Sequence, residues 1–144
     1  MRISIGSDHA GFSVKNKIEK YLESKKIEVI DVGPFNDNSV DYPDYAKKVC
    51  DEVINNKLDF GIAVCGSGIG ISIACNKIKG IRAALIYDEE TAMLSKLHNN
   101  ANVICIGARK NSFEEITKMI DVYIETKFEI RHQKRVEKIS DLEK

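Results

Sequence analysis

Residues 60–64 (Phe-Gly-Ile-Ala-Val) form a short apolar run with no polar alternation. A strand of this kind is buried on both faces, a situation typical of parallel sheets covered by helices on each side. Residues 1–6, 27–32, 82–86 and 103–106 are further short runs that read as strands. Between them, apolar residues recur at helical spacing: Val14, Ile18, Tyr21 and Leu22; then Ala46, Val49, Cys50, Val53 and Ile54; then Leu94 and Leu97; then Ile116, Ile120, Tyr123 and Ile124. Residues 69–78 are apolar nearly all round, as expected of a helix buried on more than one side.

Strands alternating with helices require right-handed crossovers. The expected fold is α/β: a three-layer αβα sandwich with a five-stranded parallel Rossmann-like sheet, helices on both faces and an extra C-terminal helix from about residue 129. Local signals support the boundaries. Pro43 suits the first turn of a helix, Lys79-Gly80 closes one, and Ser112 to Glu115 is a capping box. Asp8 or Ser7 can cap the helix that starts near Gly11. At 144 residues the chain is expected to form one domain.

Lysine plus arginine equals aspartate plus glutamate, 22 each, so no global field favours nucleic acid or a membrane surface. No apolar run approaches the roughly 20 residues of a membrane span. A strand beginning almost at Met1 leaves no room for a leader peptide, and the expectation is a cytoplasmic protein. Its cysteines, Cys50, Cys65, Cys75 and Cys105, show no C-x-x-C pair and no metal-ligand spacing with the three histidines. They are expected to be reduced thiols, with no metal and no cofactor.

In parallel sheets ligands bind beyond the carboxyl ends of the strands. Three polar segments fall there: Asp8-His9, residues 65–70 and Arg109. The middle one, Cys65-Gly66-Ser67-Gly68-Ile69-Gly70, joins a strand to a helix. Its alternate glycines let the backbone turn sharply and expose N–H groups to an anion, and the helix end favours thiolate chemistry at Cys65. It is no P-loop, because no Gly-Lys-Ser/Thr follows. Ile71 stands where a Cys-x5-Arg phosphatase loop needs arginine. The third glycine comes one residue early for a dinucleotide fingerprint, although Asp88 lies where a ribose-binding acid would sit. A nucleotide-binding module and a thiol enzyme therefore stay open.

His9 is either exposed beside a helix cap or a ligand for a sugar phosphate, and His98 either complements a helix dipole or works on substrate. Arg131 and Arg135, four apart with His132 and Lys134 between them, are either a solvated face or a phosphate clamp. Phe128, His132, Val136, Ile139 and Leu142 form an apolar stripe on the same terminal helix, so it is expected to pack on something, a second subunit included.

Across almost its whole length the sequence resembles the B-type ribose-5-phosphate isomerases and the related galactose-6-phosphate isomerase subunits. The matching motifs are Gly6-Ser7-Asp8-His9-Ala10-Gly11-Phe12, Asp41-Tyr42-Pro43, residues 65–74, Asn76-Lys77, Gly80-Ile81-Arg82-Ala83, His98-Asn99 and residues 131–136. The resemblance implies an aldose–ketose isomerase of the non-oxidative pentose phosphate pathway, acting on ribose 5-phosphate through an enediolate. A six-carbon sugar phosphate, of allose or galactose, is the alternative.

It further implies that Cys65 is the base between C1 and C2, that His98 opens the furanose ring, and that Asp8 holds the ring oxygen or hydroxyls. The backbone of Gly66, Ser67, Gly68, Ile69 and Gly70 would hold the enediolate. His9, Arg109, Arg131 and Arg135 would hold the phosphate, Asn99 would bind sugar hydroxyls, and Tyr42 would line the pocket. Ser67 replaces the threonine common in relatives and keeps its catalytic hydroxyl. Where some relatives carry a glutamate base, this chain has Ile71-Ser72, which leaves the base to cysteine. A homodimer or dimer of dimers is expected, with each site shared between two chains.

Overall fold

A computed structural model describes residues 1–144. In order the chain forms β1 (Arg2–Ser7), α1 (Phe12–Ser24), β2 (Glu28–Asp31), α2 (Tyr42–Asn55), β3 (Phe60–Cys65), α3 (Ile69–Cys75), β4 (Ala83–Leu85), α4 (Glu89–Leu97), β5 (Val103–Gly107), α5 (Phe113–Glu125), a 3₁₀ turn (Ile130–His132) and α6 (Gln133–Asp141). The sheet order is β2-β1-β3-β5-β4, and every pair is parallel. The expected αβα sandwich is the fold found.

Strand β3 is central and buried along its whole length, as its apolar run requires. Side chains alternate between the two faces of the sheet. Ile3, Ile5, Ile62, Val64, Ile104 and Ile106 point into one core with Ile18 and Leu22 of α1 and Ile116 and Ile120 of α5. Ala63, Cys65, Val103 and Cys105 point into the other, with Ala46, Cys50 and Val53 of α2 and Ile71 and Cys75 of α3. Each fully buried isoleucine or leucine contributes about 1.5–3 kcal/mol to the folded state. All four cysteines are free, and all four lie in the second core. Hydrogen bonding to Cys75 and burial push the Cys50 thiol well up, which leaves it inert at neutral pH.

Local signals place the helices. Ser112 and Glu115 form the expected capping box of α5, and Pro43 lies in the first turn of α2. Asp88 forms a second box with Thr91 at the start of α4. Asp8 does not cap α1: its carboxylate accepts from the amide of Gly11 at 3.0 Å, one residue before the helix begins.

Several expectations need correction. The helix after β3 ends at Cys75 rather than at residue 78, and one side of it covers the sheet. Ile71 and Cys75 are buried, whereas Ile69 and Ile73 are 52% and 58% exposed, because a seven-residue helix lying on one sheet face turns its other side outward. Leu94 and Leu97 of α4 are only half-buried. Ala92 and Ser95 occupy the inward positions instead. The terminal helix starts with a 3₁₀ turn; within one chain Val136 of its stripe is buried and Leu142 is 85% exposed, in keeping with a stripe that has no partner inside the domain. No helix is long and apolar enough to cross a membrane.

Candidate active site

The carboxyl ends of β1, β3 and β5 lie side by side, with Ser7 opposite Val64 and Cys65 opposite Gly107. This register brings three of the expected segments together. After β1, the amide of Asp8 donates to the carbonyl of Val64 at 3.1 Å, which pins its 8%-exposed side chain beside β3. His9 follows on the surface, its Nδ1 3.2 Å from both the amide nitrogen and the carbonyl oxygen of Val40. After β5, the amides of Ala108 and Arg109 donate to the carbonyls of Cys65 and Gly66 at 2.8 and 3.0 Å. A Cβ at Gly66 would stand 3.0 Å from Nη1 of Arg109, so the guanidinium lies over this glycine.

The turn itself is built around Cys65, whose side chain is nearly closed off at 5% exposure. Its Sγ accepts a hydrogen bond from the amide of Gly68 at 3.2 Å. Gly68 can aim that amide because its φ is +80°, a conformation unfavourable to residues with a Cβ. Neighbouring chain leaves no room for one: Leu85 Cδ1 would be 2.6 Å away. The amide of Ile69 donates to Oγ of Ser67 at 3.2 Å. Tyr42 packs its ring over Gly70, which brings the first residue of α2 to the same turn. A hollow of about 210 Å³ opens next to Ser67, lined by Ile69, Leu85, Tyr87, Lys110 and Asn111 among others.

His98, Asn99, Arg131 and Arg135 lie elsewhere. Helix α4 runs back from the carboxyl edge of the sheet to its amino edge, so His98 at its C-cap ends there. Arg82, just before β4, donates to the carbonyls of Asn99 and Asn100, which fixes both at that amino edge. The amide of Glu129 donates to the carbonyl of Leu97 at 3.0 Å and holds the 3₁₀ turn against the same helix end. Arg131 and Arg135 face a hollow of about 270 Å³ with Lys134 and Lys138. The expected site residues of one chain therefore fall in two groups at opposite edges of the sheet. The five residues of β5, at about 3.3 Å each, span roughly 16 Å between them.

Within a single chain the expected phosphate residues are divided, His9 and Arg109 lying at the carboxyl edge and Arg131 and Arg135 at the amino edge. Sequence spacing also did not show that the imidazoles of His98 and His132 meet, with ring centres 4.5 Å apart. Burial, then the nearby Arg131 and His98, lower the pKa of His132. The hydrogen bond from Arg131 lowers that of Glu129. Asp88, the candidate ribose acid, is committed to its helix: its carboxylate accepts from the amide of Thr91 at 2.6 Å.

The ribose/galactose isomerase profile matches residues 3–139. The chain belongs to this family. Ribose-5-phosphate isomerase B of Escherichia coli (strain K12) is 41% identical over 143 residues, which cover 99% of this chain and 96% of that protein. The structure of Clostridium thermocellum ribose-5-phosphate isomerase B matches with a TM-score of 0.97 at 42% identity, over 99% of this chain and 97% of that one. The Mycoplasma genitalium ribose-5-phosphate isomerase B, solved with bound ribulose-5-phosphate, matches with a TM-score of 0.94 at 42% identity, over 99% and 95%. Within the isomerase family the fold is therefore shared over nearly the full length of this chain.

Proposed function

We propose that this protein interconverts ribose 5-phosphate and ribulose 5-phosphate, a step of the pentose phosphate pathway, in the cytoplasm. The observation that carries the reading is the Cys65 turn, a buried thiol that accepts the Gly68 amide at the carboxyl edge of the sheet, in a chain that matches a ribulose-5-phosphate-bound isomerase end to end.

The residues divide the chemistry as follows. His98 takes the proton of the anomeric hydroxyl; the C1 carbonyl forms as the bond from C1 to the ring oxygen breaks, and that oxygen receives a proton. Cys65, as thiolate, then removes the proton on C2, and the electron pair moves to the carbonyl oxygen to give the enediolate. Amides of the turn from Gly66 to Gly70, with Ser67, hold the oxyanion where charge develops. The same thiol returns the proton to C1 while one proton passes from O2 to O1, so the aldose becomes a ketose with no net gain or loss of electrons. Asp8 and Asn99 hold sugar oxygens, His9, Arg109, Arg131 and Arg135 hold the phosphate, and Tyr42 lines the pocket.

A working site needs both edges of the sheet, and a single chain cannot fold one edge onto the other. We infer a homodimer, or a dimer of dimers, in which His98, Asn99, Arg131 and Arg135 of one chain meet Cys65, Asp8, His9 and Arg109 of the next. A two-fold axis then gives two equivalent sites. The outward Ile69 and Ile73, beside the Cys65 turn, supply apolar surface for such contact.

The direct test follows C2 of ribose 5-phosphate in deuterated water. Enzyme-dependent exchange of that proton is expected; its absence, with no ribulose 5-phosphate formed, overturns the reading. Running allose and galactose 6-phosphates in parallel distinguishes five-carbon from six-carbon substrates.

A further inference from the structure

His132 has no assigned part in this chemistry, yet its placement is specific. Its ring centre lies 4.5 Å from that of His98, with the planes tilted by 43°. The two residues come from different elements, the end of α4 and the 3₁₀ turn, and a deliberate backbone contact joins them: the amide of Glu129 donates to the carbonyl of Leu97, one residue before His98. The turn then closes on itself, the amide of His132 donating to the carbonyl of Glu129 at 3.1 Å. Nε2 of His132 is buried and has no hydrogen-bond partner. A buried ring nitrogen without a partner is uncommon, and it means that this nitrogen does not anchor the ring. Contact with His98 is what the arrangement achieves. Burial and the neighbouring Arg131 both favour the neutral form of His132, so it adds a flat, uncharged surface beside His98.

We propose that His132 is a positioning residue for ring opening: its imidazole, packed at a tilt against that of His98, fixes the plane in which His98 presents its nitrogen to the sugar. The proposal rests on the reading of His98 as the ring-opening group. A freely rotating imidazole at the end of a helix would sweep through orientations that miss the anomeric hydroxyl. Arg131 and Arg135, flanking His132 in sequence, hold the phosphate end of the same substrate, so the turn sets both contacts at once.

Ribulose 5-phosphate offers a clean comparison, because its C5 oxygen carries the phosphate and it cannot close to a furanose. Exchange of its C1 protons with solvent needs Cys65 but no ring opening. For His132→Ala, turnover of ribose 5-phosphate should fall about tenfold or more with KM nearly unchanged, as expected for a misplaced catalytic group. C1 exchange of ribulose 5-phosphate should stay near the wild-type rate, which also shows that the variant is folded. His132→Phe, which keeps a flat ring and lacks both nitrogens, should restore most of the lost turnover. Equal loss on both substrates, no loss on either, or failure of His132→Phe to rescue would overturn the proposal. His98→Asn serves as the reference. If it keeps full ribose 5-phosphate turnover, the ring-opening reading falls and this proposal with it. If it loses turnover and His132→Ala does not, only the proposal falls.

Discussion

The sulfur of Cys65 accepts a hydrogen bond from the amide of Gly68 at 3.2 Å, across a turn that the positive φ of Gly68 makes possible. The contact holds the sulfur in one place at the carboxyl edge of the sheet, and a proton-abstracting group must be so placed. Replacing Cys65 by alanine should lower turnover by about 10³-fold or more, within or above the usual span for a positioned acid–base group. Substrate affinity, measured by calorimetry, should change little. Near wild-type turnover in the variant would remove Cys65 from the mechanism.

Gly68→Ala should damage both stability and rate. A Cβ at this φ costs about 1–2 kcal/mol by itself, and here it also meets Leu85 Cδ1 at 2.6 Å and the Gly107 amide nitrogen at 2.9 Å. The expected loss is about 2 kcal/mol or more, read as a lower urea midpoint with unchanged slope. An unshifted midpoint would show that the turn relaxes freely.

Arg131→Ala and Arg135→Ala should act differently from Cys65→Ala. Phosphate contacts are made equally in ground and transition states, so their loss raises KM and spares kcat. Steady-state kinetics on ribose 5-phosphate separates the two, and a fall in kcat at constant KM would count against phosphate binding.

Stability should respond to pH through Glu19. Burial first, then the Asp31 and Glu23 carboxylates, raise its pKa from 4.5 to about 7. The folded protein binds this proton more tightly than the unfolded chain. Its contribution is therefore complete below about pH 4.5 and is lost as pH rises through 7. Glu19→Gln, which cannot ionise, should melt progressively higher than wild type as pH goes from 5 to 8. A melting-point difference that stays constant over this range would contradict the assignment.

The sequence made the sheet legible because β3 and its neighbours must be apolar on both faces, and the capping box at Ser112 and the proline at 43 marked helix starts. The Cys65 turn was equally legible, since its thiol, its glycines and the helix after it follow one another in sequence. Misreadings arose where burial depends on partners distant in sequence. The helix expected over residues 69–78 stops at Cys75, where Asn76 turns back to hydrogen-bond Ala83 at the start of β4. Leu94 and Leu97 matched the helical period, yet the inward positions went to Ala92 and Ser95. The motifs at His98 and at Arg131 and Arg135 could be named from sequence, but not their edge of the sheet, which follows from the antiparallel return of α4. Nor does any spacing rule bring His132 onto His98.

The central claim is that Cys65 of one chain works with His98 of another. Inactive Cys65→Ala and inactive His98→Asn proteins should be mixed, exchanged between subunits, and assayed on ribose 5-phosphate, with exchange verified by native mass spectrometry. Each mixed dimer then holds one doubly altered site and one unaltered site. Random exchange makes half of the dimers mixed, so activity should return to about a quarter of the wild-type level. Mixed dimers that form and stay inactive would show that each chain builds its own site.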